Sequence, residues 1–109
     1  MPPLAHPAME EVSLAGVMQA LSDPVRLRIV ALLLDGEPRS CGPAGWDIDV
    51  HKSTLSHHYK VLREAGLTRT HAQGRNRWVR LRRAELEERF PGLVDFLSAA
   101  AAREHGRVT

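Results

Sequence analysis

The chain has 109 residues, 43% of them hydrophobic, and a formal net charge of +2 at neutral pH. This size and composition predict one folded domain with a modest core rather than a disordered chain. The sequence holds no apolar run near the ~20 residues of a transmembrane helix, no signal-peptide pattern, and one cysteine, Cys41, which excludes an intrachain disulfide. We therefore expect a cytoplasmic protein that does not associate with membranes.

Basic side chains are concentrated in one segment of the chain. Residues 51–83 hold nine lysines and arginines and one acid, Glu64, so this segment carries +8 and the rest carries −6. An exposed structural face usually mixes charges of both signs. The separation therefore predicts a nucleic-acid-binding surface.

The N-terminal segment is predicted to be a tail followed by a helix. Residues 1–8 contain three prolines and no periodic pattern, which indicates a flexible tail before a single domain over residues 9–104. Residues 9–21 place apolar side chains about one turn apart, which predicts a helix. The predicted apolar stripe consists of Val12, Ala15, Met18 and Leu21.

A second helix is predicted over residues 24–35. Asp23 followed by Pro24 is typical of a helix start, with a side-chain acceptor at the N-cap and proline at the first helical position. Gly36 is a plausible stop. Apolar residues cover more than one face, so we place this helix at the centre of the core and expect Arg26 and Arg28 to point outward.

The next segment, residues 37–50, has no clear periodicity. Its two prolines and two glycines allow at most a short helical turn around residues 41–46. We expect Trp46, Ile48 and Val50 to fill part of the core from this irregular stretch.

Residues 52–65 predict a helix with two distinct faces, and Gly66 ends it. The predicted inner face consists of Leu55, His58, Tyr59, Leu62 and Ala65. The predicted outer face consists of Ser53, Ser56, His57 and Lys60. A helix that enters the major groove needs a small, polar outer face free of acid clashes, and this face meets that requirement, with Glu64 further along the helix.

A β-hairpin and two helices are predicted to complete the chain. Residues 67–72 and 77–82 predict strands joined by a tip over 73–76, with Val79 and Leu81 buried and Arg80 and Arg82 exposed. Residues 83–89 predict a short polar helix. A last helix from Pro91 is more apolar than a solvent-exposed helix should be, which indicates a partner surface; residues 105–109 are expected to form a second flexible tail.

Two segments resemble a known protein family. Residues 21–30, Leu-Ser-Asp-Pro-Val-Arg-Leu-Arg-Ile-Val, are similar to the second-helix signature of the ArsR-type (arsenic-repressor-like) winged helix-turn-helix regulators. Residues 52–67, Lys-Ser-Thr-Leu-Ser-His-His-Tyr-Lys-Val-Leu-Arg-Glu-Ala-Gly-Leu, resemble the recognition helix of that family and its turn into the wing. Gly74 and Arg75 stand at the expected wing tip, and the resemblance spans roughly residues 10–100.

The resemblance implies a mainly α fold with a small β-hairpin, the winged helix-turn-helix. Its order would be two helices, a short or irregular third helix, the recognition helix, the wing, a short helix and a C-terminal dimerisation helix. It also implies a homodimer formed by the N-terminal and C-terminal helices, and a repressor that binds a palindromic operator in double-stranded DNA. The predicted DNA-binding residues are Lys52, Ser53, Thr54, Ser56, His57, Lys60, Arg63, Arg75, Asn76 and Arg77.

The sequence departs from the metal-sensing members of this family. Where they often carry Glu-Leu-Cys-Val-Cys, this chain has Glu37-Pro38-Arg39-Ser40-Cys41, so a cation replaces the first thiolate. The last helix offers Asp95 and His105 without a second pair. We therefore predict no metal site and no cofactor, and the identity of any small-molecule effector stays open. His51 stands where relatives have a serine N-cap, which we expect to weaken the cap.

The sequence leaves two alternatives open and argues against a third. Cys41 is either a small, partly buried core residue or the reactive thiol of a redox-sensing regulator. The winged helix could instead bind protein or RNA, although A-form RNA hides the major groove that the outer face of residues 52–65 fits. An enzyme is not expected, because no nucleophile with an activating base and no paired carboxylates are evident.

Overall fold

Five helices and a three-stranded antiparallel sheet make up the described part of the chain, residues 5–41 and 50–108 of a computed structural model. After a 3₁₀ turn at Met9–Glu11, the elements are α1 (Leu14–Leu21), α2 (Pro24–Leu32), β1 (Arg39–Ser40), α3 (Lys52–Glu64), β2 (Thr68–Gln73), β3 (Asn76–Leu81), α4 (Arg83–Arg89) and α5 (Leu93–Val108). This order confirms the predicted mainly helical fold with a β-hairpin.

The first helix begins later than predicted and buries a different face. Ser13 has extended backbone angles and its hydroxyl accepts a hydrogen bond from the N–H of Gly16 at 3.0 Å, so the helix starts at Leu14. The predicted stripe was wrong at Ala15 and Met18, which are exposed. A spacing of three residues drifts around a helix, and the buried face of α1 is Val17, Ala20 and Leu21.

Helix α2 has the predicted start and a central position. The carboxylate of Asp23 accepts hydrogen bonds from the N–H groups of Val25 and Arg26 at 2.8 and 3.1 Å. Ile29 and Val30 are fully buried. The helix ends at Leu32, earlier than predicted, and the chain turns before Gly36, which adopts a φ of +82°.

The prediction that Arg26 points outward was wrong. Its Nε donates to the carbonyl oxygen of Ala20 at 2.7 Å, and its Nη1 donates to Nδ1 of His58 at 3.3 Å. The carbonyl of Ala20 lies in the last turn of α1, where helix carbonyls lack an intrahelical partner. Arg26 therefore connects α1 and α2 to the face of α3 that is turned towards the core.

The strands form a sheet in the order β1-β3-β2. The hairpin pairs run from Thr68 with Leu81 to Gln73 with Asn76, one residue away from the predicted bounds. Strand β1 pairs with Val79 and Trp78 of β3 and was not predicted, because two residues are too few to show an alternating pattern. The predicted helical turn around 41–46, with Trp46 and Ile48, lies largely in residues 42–49, outside the described part of the chain; Val50 packs against the core as expected.

Arg82 is the second arginine whose environment the sequence did not predict. Arg82 is only 4% exposed, although its alternation with Val79 and Leu81 predicts a side chain on the solvent-exposed face of the strand. It follows the last residue of β3, where the alternation of the strand ends, and its Nη1 donates to the carbonyl oxygen of Pro7 at 2.8 Å. A tight ion pair with Glu85, at 2.7 Å, compensates its buried charge.

Two residues of the predicted N-terminal tail contact the rest of the fold. The backbone N–H of Thr70 donates to Nε2 of His6 at 3.0 Å, and Pro7 accepts from Arg82. Residues 6 and 7 therefore lie against the sheet. At the other end, α5 continues to Val108, past the position where a tail was expected.

The core gathers side chains from α1 to α5 and from the two long strands. Its fully buried members include Val17, Ile29, Val30, Leu33, Leu55, Leu62, Leu67, Val79, Leu86 and Val94. Gly66 connects α3 to β2 with a φ of +87°, and a Cβ at this position would overlap the side chain of Val12. The exit from α3 is thus packed directly against the segment that precedes α1.

Candidate DNA-binding site

Helix α3 spans thirteen residues and begins at a histidine cap. His51 has extended backbone angles, and its Nδ1 accepts a hydrogen bond from the N–H of Ser53 at 3.3 Å. The same nitrogen lies 2.9 Å from the hydroxyl of Ser53. His51 thus takes the place of the serine N-cap. Its hydrogen bond from the N–H of Ser53 is long, as expected of a weakened cap.

The inner face of α3 is anchored in the core. Leu55, His58, Tyr59 and Leu62 are at most 7% exposed, which confirms the predicted face. Ala65, at the end of the helix, is half-buried. With these side chains fixed, the opposite face is held in one orientation relative to the sheet.

His58 is a buried polar residue on this inner face. Burial lowers the pKa of His58, Asp23 opposes that shift, and Arg26 and His57 reinforce it. A neutral imidazole also suits the contact with Arg26, since a guanidinium can only donate. Sequence reasoning placed Arg26 on the surface and so missed this contact, which positions α3 against α2.

The outer face of α3 is exposed, small and polar. Nine of the ten predicted DNA-binding residues are exposed and the tenth, Arg63, is half-buried. Those on α3 that are exposed are Lys52, Ser53, Thr54, Ser56, His57 and Lys60. Its one acid, Glu64, lies at the last position of the helix, away from the face's serines and His57. The face therefore presents hydrogen-bonding groups and positive charge.

The hairpin presents the remaining predicted contacts at its tip. Gln73 pairs with Asn76, so Gly74 and Arg75 form a two-residue turn, and Gly74 adopts a φ of +64°. Glycine at the first central position is typical of the turns that match the twist of a hairpin. Arg75, Asn76 and Arg77 are all exposed.

Cys41 lies beside the sheet and not on the outer face of α3. Its N–H donates to the carbonyl oxygen of Arg77 at 2.8 Å. Burial raises the pKa of Cys41 to about 11, despite the opposing influence of Arg77 and Arg63. The thiol is therefore protonated at neutral pH, which makes it a weak nucleophile and a weak metal ligand and favours the core-residue interpretation.

Two features are absent from the described part of the chain. Among the described side chains, those of residues 5–41 and 50–104, no three histidine, cysteine or acidic groups come together in an arrangement that could hold a metal ion. Asp95 is exposed on α5, whereas the side chain of His105 lies outside the described part. No helix within these ranges has the length and apolar character needed to cross a bilayer.

Comparison with known proteins agrees with this geometry. Residues 21–71 match a family model described as a helix-turn-helix domain. The chain is 40% identical over 84 residues to the HTH-type transcriptional regulator YceK of Bacillus subtilis. The aligned region covers 76% of this chain and 84% of YceK.

Two solved structures align over most of the chain. The transcriptional repressor BigR from Xylella fastidiosa is 32% identical and aligns with a TM-score of 0.63 over 80% of this chain and 84% of its own. An ArsR-like transcriptional regulator from Rhodococcus sp. is 25% identical, with a TM-score of 0.59 over 87% of this chain and 88% of its own.

The fold, the exposed polar face of α3 and the basic hairpin define a winged helix-turn-helix protein, a DNA-binding transcriptional regulator. The chain belongs to the ArsR-type family of these regulators. Helix α3 corresponds to the recognition helix, and the β2–β3 hairpin corresponds to the wing.

Proposed function

We propose that the protein is a homodimeric repressor that binds a roughly palindromic operator in duplex DNA through α3 and the wing. The observation that carries this proposal is the exposed, acid-poor face of α3 together with an exposed basic wing, both within the segment that carries a net charge of +8. BigR, which shares the fold, is itself described as a transcriptional repressor.

The two elements divide the contacts between bases and phosphates. Ser56 and His57 lie at the middle of the exposed face of α3 and can donate to or accept from base edges in the major groove. Lys52 lies in the first turn of this long helix, where free N–H groups and the helix dipole favour a phosphate. Arg75 and Arg77 extend from the wing towards a flanking phosphate or the minor groove.

Exposed apolar side chains on α1 and α5 support the dimer. Leu14, Met18 and Phe96 are 52%, 46% and 67% exposed. Leu14 and Met18 are four residues apart and share one face of α1. In an isolated chain these side chains would remain in water, whereas a two-fold interface would bury them. Two recognition helices would then read half-sites roughly 34 Å apart.

Selection of binding sites from a random duplex DNA library, followed by titration at several salt concentrations, tests the proposal. We expect a selected sequence with two-fold symmetry, and an affinity that falls steeply with salt because several phosphates are neutralised. Duplex RNA of the selected sequence is the control for the RNA-binding alternative. Affinity that barely changes with salt, or equal binding to the RNA, would contradict the proposal.

A further inference from the structure

A cavity of about 200 Å³ opens at the base of the wing, where β3 passes into α4. Four arginines line it, together with a single acid: Arg69, Arg80, Arg82, Arg83 and Glu85. The charged groups of this lining sum to +3. The DNA contacts proposed above use none of these side chains, although the four arginines belong to the basic segment 51–83.

Glu85 neutralises only part of that charge. Its Oε1 accepts from Arg69 Nη2 at 3.1 Å and from Arg82 Nε at 3.2 Å, and its Oε2 accepts from Arg82 Nη2 at 2.7 Å. The hydrogen bonds from Arg82, and less strongly from Arg69, hold the pKa of Glu85 at about 2, so the carboxylate stays ionised. Both of its oxygens are thus occupied by the two arginines beside it.

Arg80 and Arg83 have no acidic partner among the residues that the structure describes, and both are exposed. Arg80 lies directly opposite Arg69 in the β2–β3 register, so the two side chains share one face of the sheet. Like charges at directly opposite positions destabilise a strand pair. Glu85 offsets the charge of Arg69 but not that of Arg80, so an anion held by Arg80 and the neighbouring Arg83 would reduce the remaining repulsion.

We propose that this cavity binds a small oxyanion ligand, a multiply charged phosphate or carboxylate, through Arg80 and Arg83. Guanidinium groups bind such anions through paired, charge-assisted hydrogen bonds. The cavity is smaller than ordinary drug-sized sites, which run from roughly 300 to 1,000 Å³, so it suits a compact anion.

The position of the cavity separates it from the proposed DNA contacts of the wing tip. It borders Leu81, which pairs with Thr68 at the end of the hairpin opposite to Gly74 and Arg75. Five residue steps along a strand, at about 3.3 Å each, span roughly 17 Å. A phosphate held at the wing tip therefore does not itself fill the cavity, which leaves room for a separate small anion.

Titration of ¹⁵N-labelled protein with inorganic phosphate and with citrate, against sodium chloride at matched ionic strength, tests this inference. We expect saturable shifts of the backbone amides of residues 36, 69 and 80–85. The double variant R80Q/R83Q should weaken anion binding at least tenfold. Because both side chains are exposed, this variant should keep its fold. The control R28Q/R103Q removes the same charge outside the cavity and should leave anion affinity within twofold.

Three results would overturn the inference. Shifts that spread over all basic regions, or that do not saturate, would indicate general screening. Equal anion affinity in R80Q/R83Q and R28Q/R103Q would show that Arg80 and Arg83 do not bind the anion. A fall in duplex DNA affinity in anion-free buffer, larger for R80Q/R83Q than for R28Q/R103Q, would assign the two arginines to the DNA backbone. Anion binding is measured without DNA, so its outcome is independent of the proposed operator binding.

Discussion

At Gly66, one missing side chain decides how α3 joins the sheet. The residue has a φ of +87°, and a Cβ there would overlap the buried side chain of Val12. The left-handed backbone alone costs alanine about 1–2 kcal/mol, and forcing extra volume into a packed site adds about 1–3 kcal/mol. We therefore expect Gly66→Ala to lower the free energy of unfolding by about 3 kcal/mol, measured by denaturant titration.

Gly92 is the matched control for that substitution. It has a φ of +90°, but nothing lies within 4 Å of the position of its Cβ. Gly92→Ala should therefore show only the backbone cost, about 1–2 kcal/mol. In a double-mutant cycle, Val12→Ala with Gly66→Ala should cost less than the sum of the two single changes. Equal losses for the two glycine variants would show that the contact with Val12 is unimportant.

His58 gives the stability of the fold a pH dependence. Burial lowers its pKa below the ordinary value of 6.5, so the unfolded chain takes up a proton that the folded chain resists. Neutral His58 therefore makes its full contribution to the free energy of unfolding above pH 6.5. That contribution is lost as the pH falls from 6.5 towards the lower pKa of His58 in the folded state. We expect the free energy of unfolding to decline over this range.

The variant His58→Gln should flatten that decline, whatever its effect on stability at neutral pH. The exposed His71, which does not act on the pKa of His58, provides the control, and His71→Gln should keep the wild-type profile. Denaturant titrations at several pH values measure the slope for each protein. An unchanged slope in His58→Gln would show that His58 titrates as it does in the unfolded chain.

Single residues differ in how far the sequence reveals their environment. The buried position of His58 follows from its spacing with Leu55, Tyr59 and Leu62, because helical periodicity is local. Arg26 and Arg82 are different, because each donates to a backbone carbonyl outside its own element, that of Ala20 in α1 and that of Pro7 near the start of the described chain. A long arginine stem can cover apolar surface while its charged end finds such an acceptor, and no local pattern records where that acceptor lies.

At the scale of elements, the recognition helix and the wing should contribute differently to DNA binding. Ser56 and His57 are assigned to base edges, so Ser56→Ala with His57→Ala should relax sequence preference and bring affinity for the selected operator closer to that for random DNA. Arg75 is assigned to a phosphate, so Arg75→Ala should weaken all duplexes alike and reduce the salt slope by about 1.

Parallel binding-site selections with the two variants and the wild type measure both effects. Ser98→Ala, on the exposed surface of α5 and outside the predicted DNA contacts, tests whether loss of any small polar group has the same result. A loss of specificity caused by Arg75→Ala alone would reverse the assignment of bases to α3 and phosphates to the wing.

Elements with a strong local pattern were predictable, and those formed by distant pairing were not. Helix α3 and the hairpin were placed within about one residue, because both show clear periodicity and a glycine marks the end of α3 and the tip of the hairpin. Strand β1 depends entirely on β3, which supplies the partners of Arg39 and Ser40. The true start of α1 depends on Ser13, a cap inside a stretch that reads as one continuous helix.

In the whole molecule, positive charge and exposed apolar side chains lie on different segments, which fits the two proposed tasks of DNA binding and self-association. The basic segment 51–83 contains α3 and the wing, whereas the exposed apolar side chains lie outside it on α1 and α5. DNA binding and self-association would thus use different surfaces, so each can be weakened without direct damage to the other. The sequence predicted the apolar character of the last helix but not which of its side chains stays uncovered.

Phe96 tests this separation most directly, since it is the most exposed of the three large apolar side chains, at 67%. Phe96→Glu should raise the dimer dissociation constant at least tenfold, because burial of an aromatic ring contributes about 1.5–3 kcal/mol and a buried unpaired carboxylate is costly. Sedimentation equilibrium measures the change. Ala84→Glu, on the exposed surface of α4, adds the same charge and should leave the dimer intact.

Affinity of Phe96→Glu for an isolated half-site should match the wild type, while affinity for the full operator should fall, because only the dimer engages two half-sites together. A wild-type protein that sediments as a monomer, or a variant that keeps its dimer, would mean that α5 serves another partner.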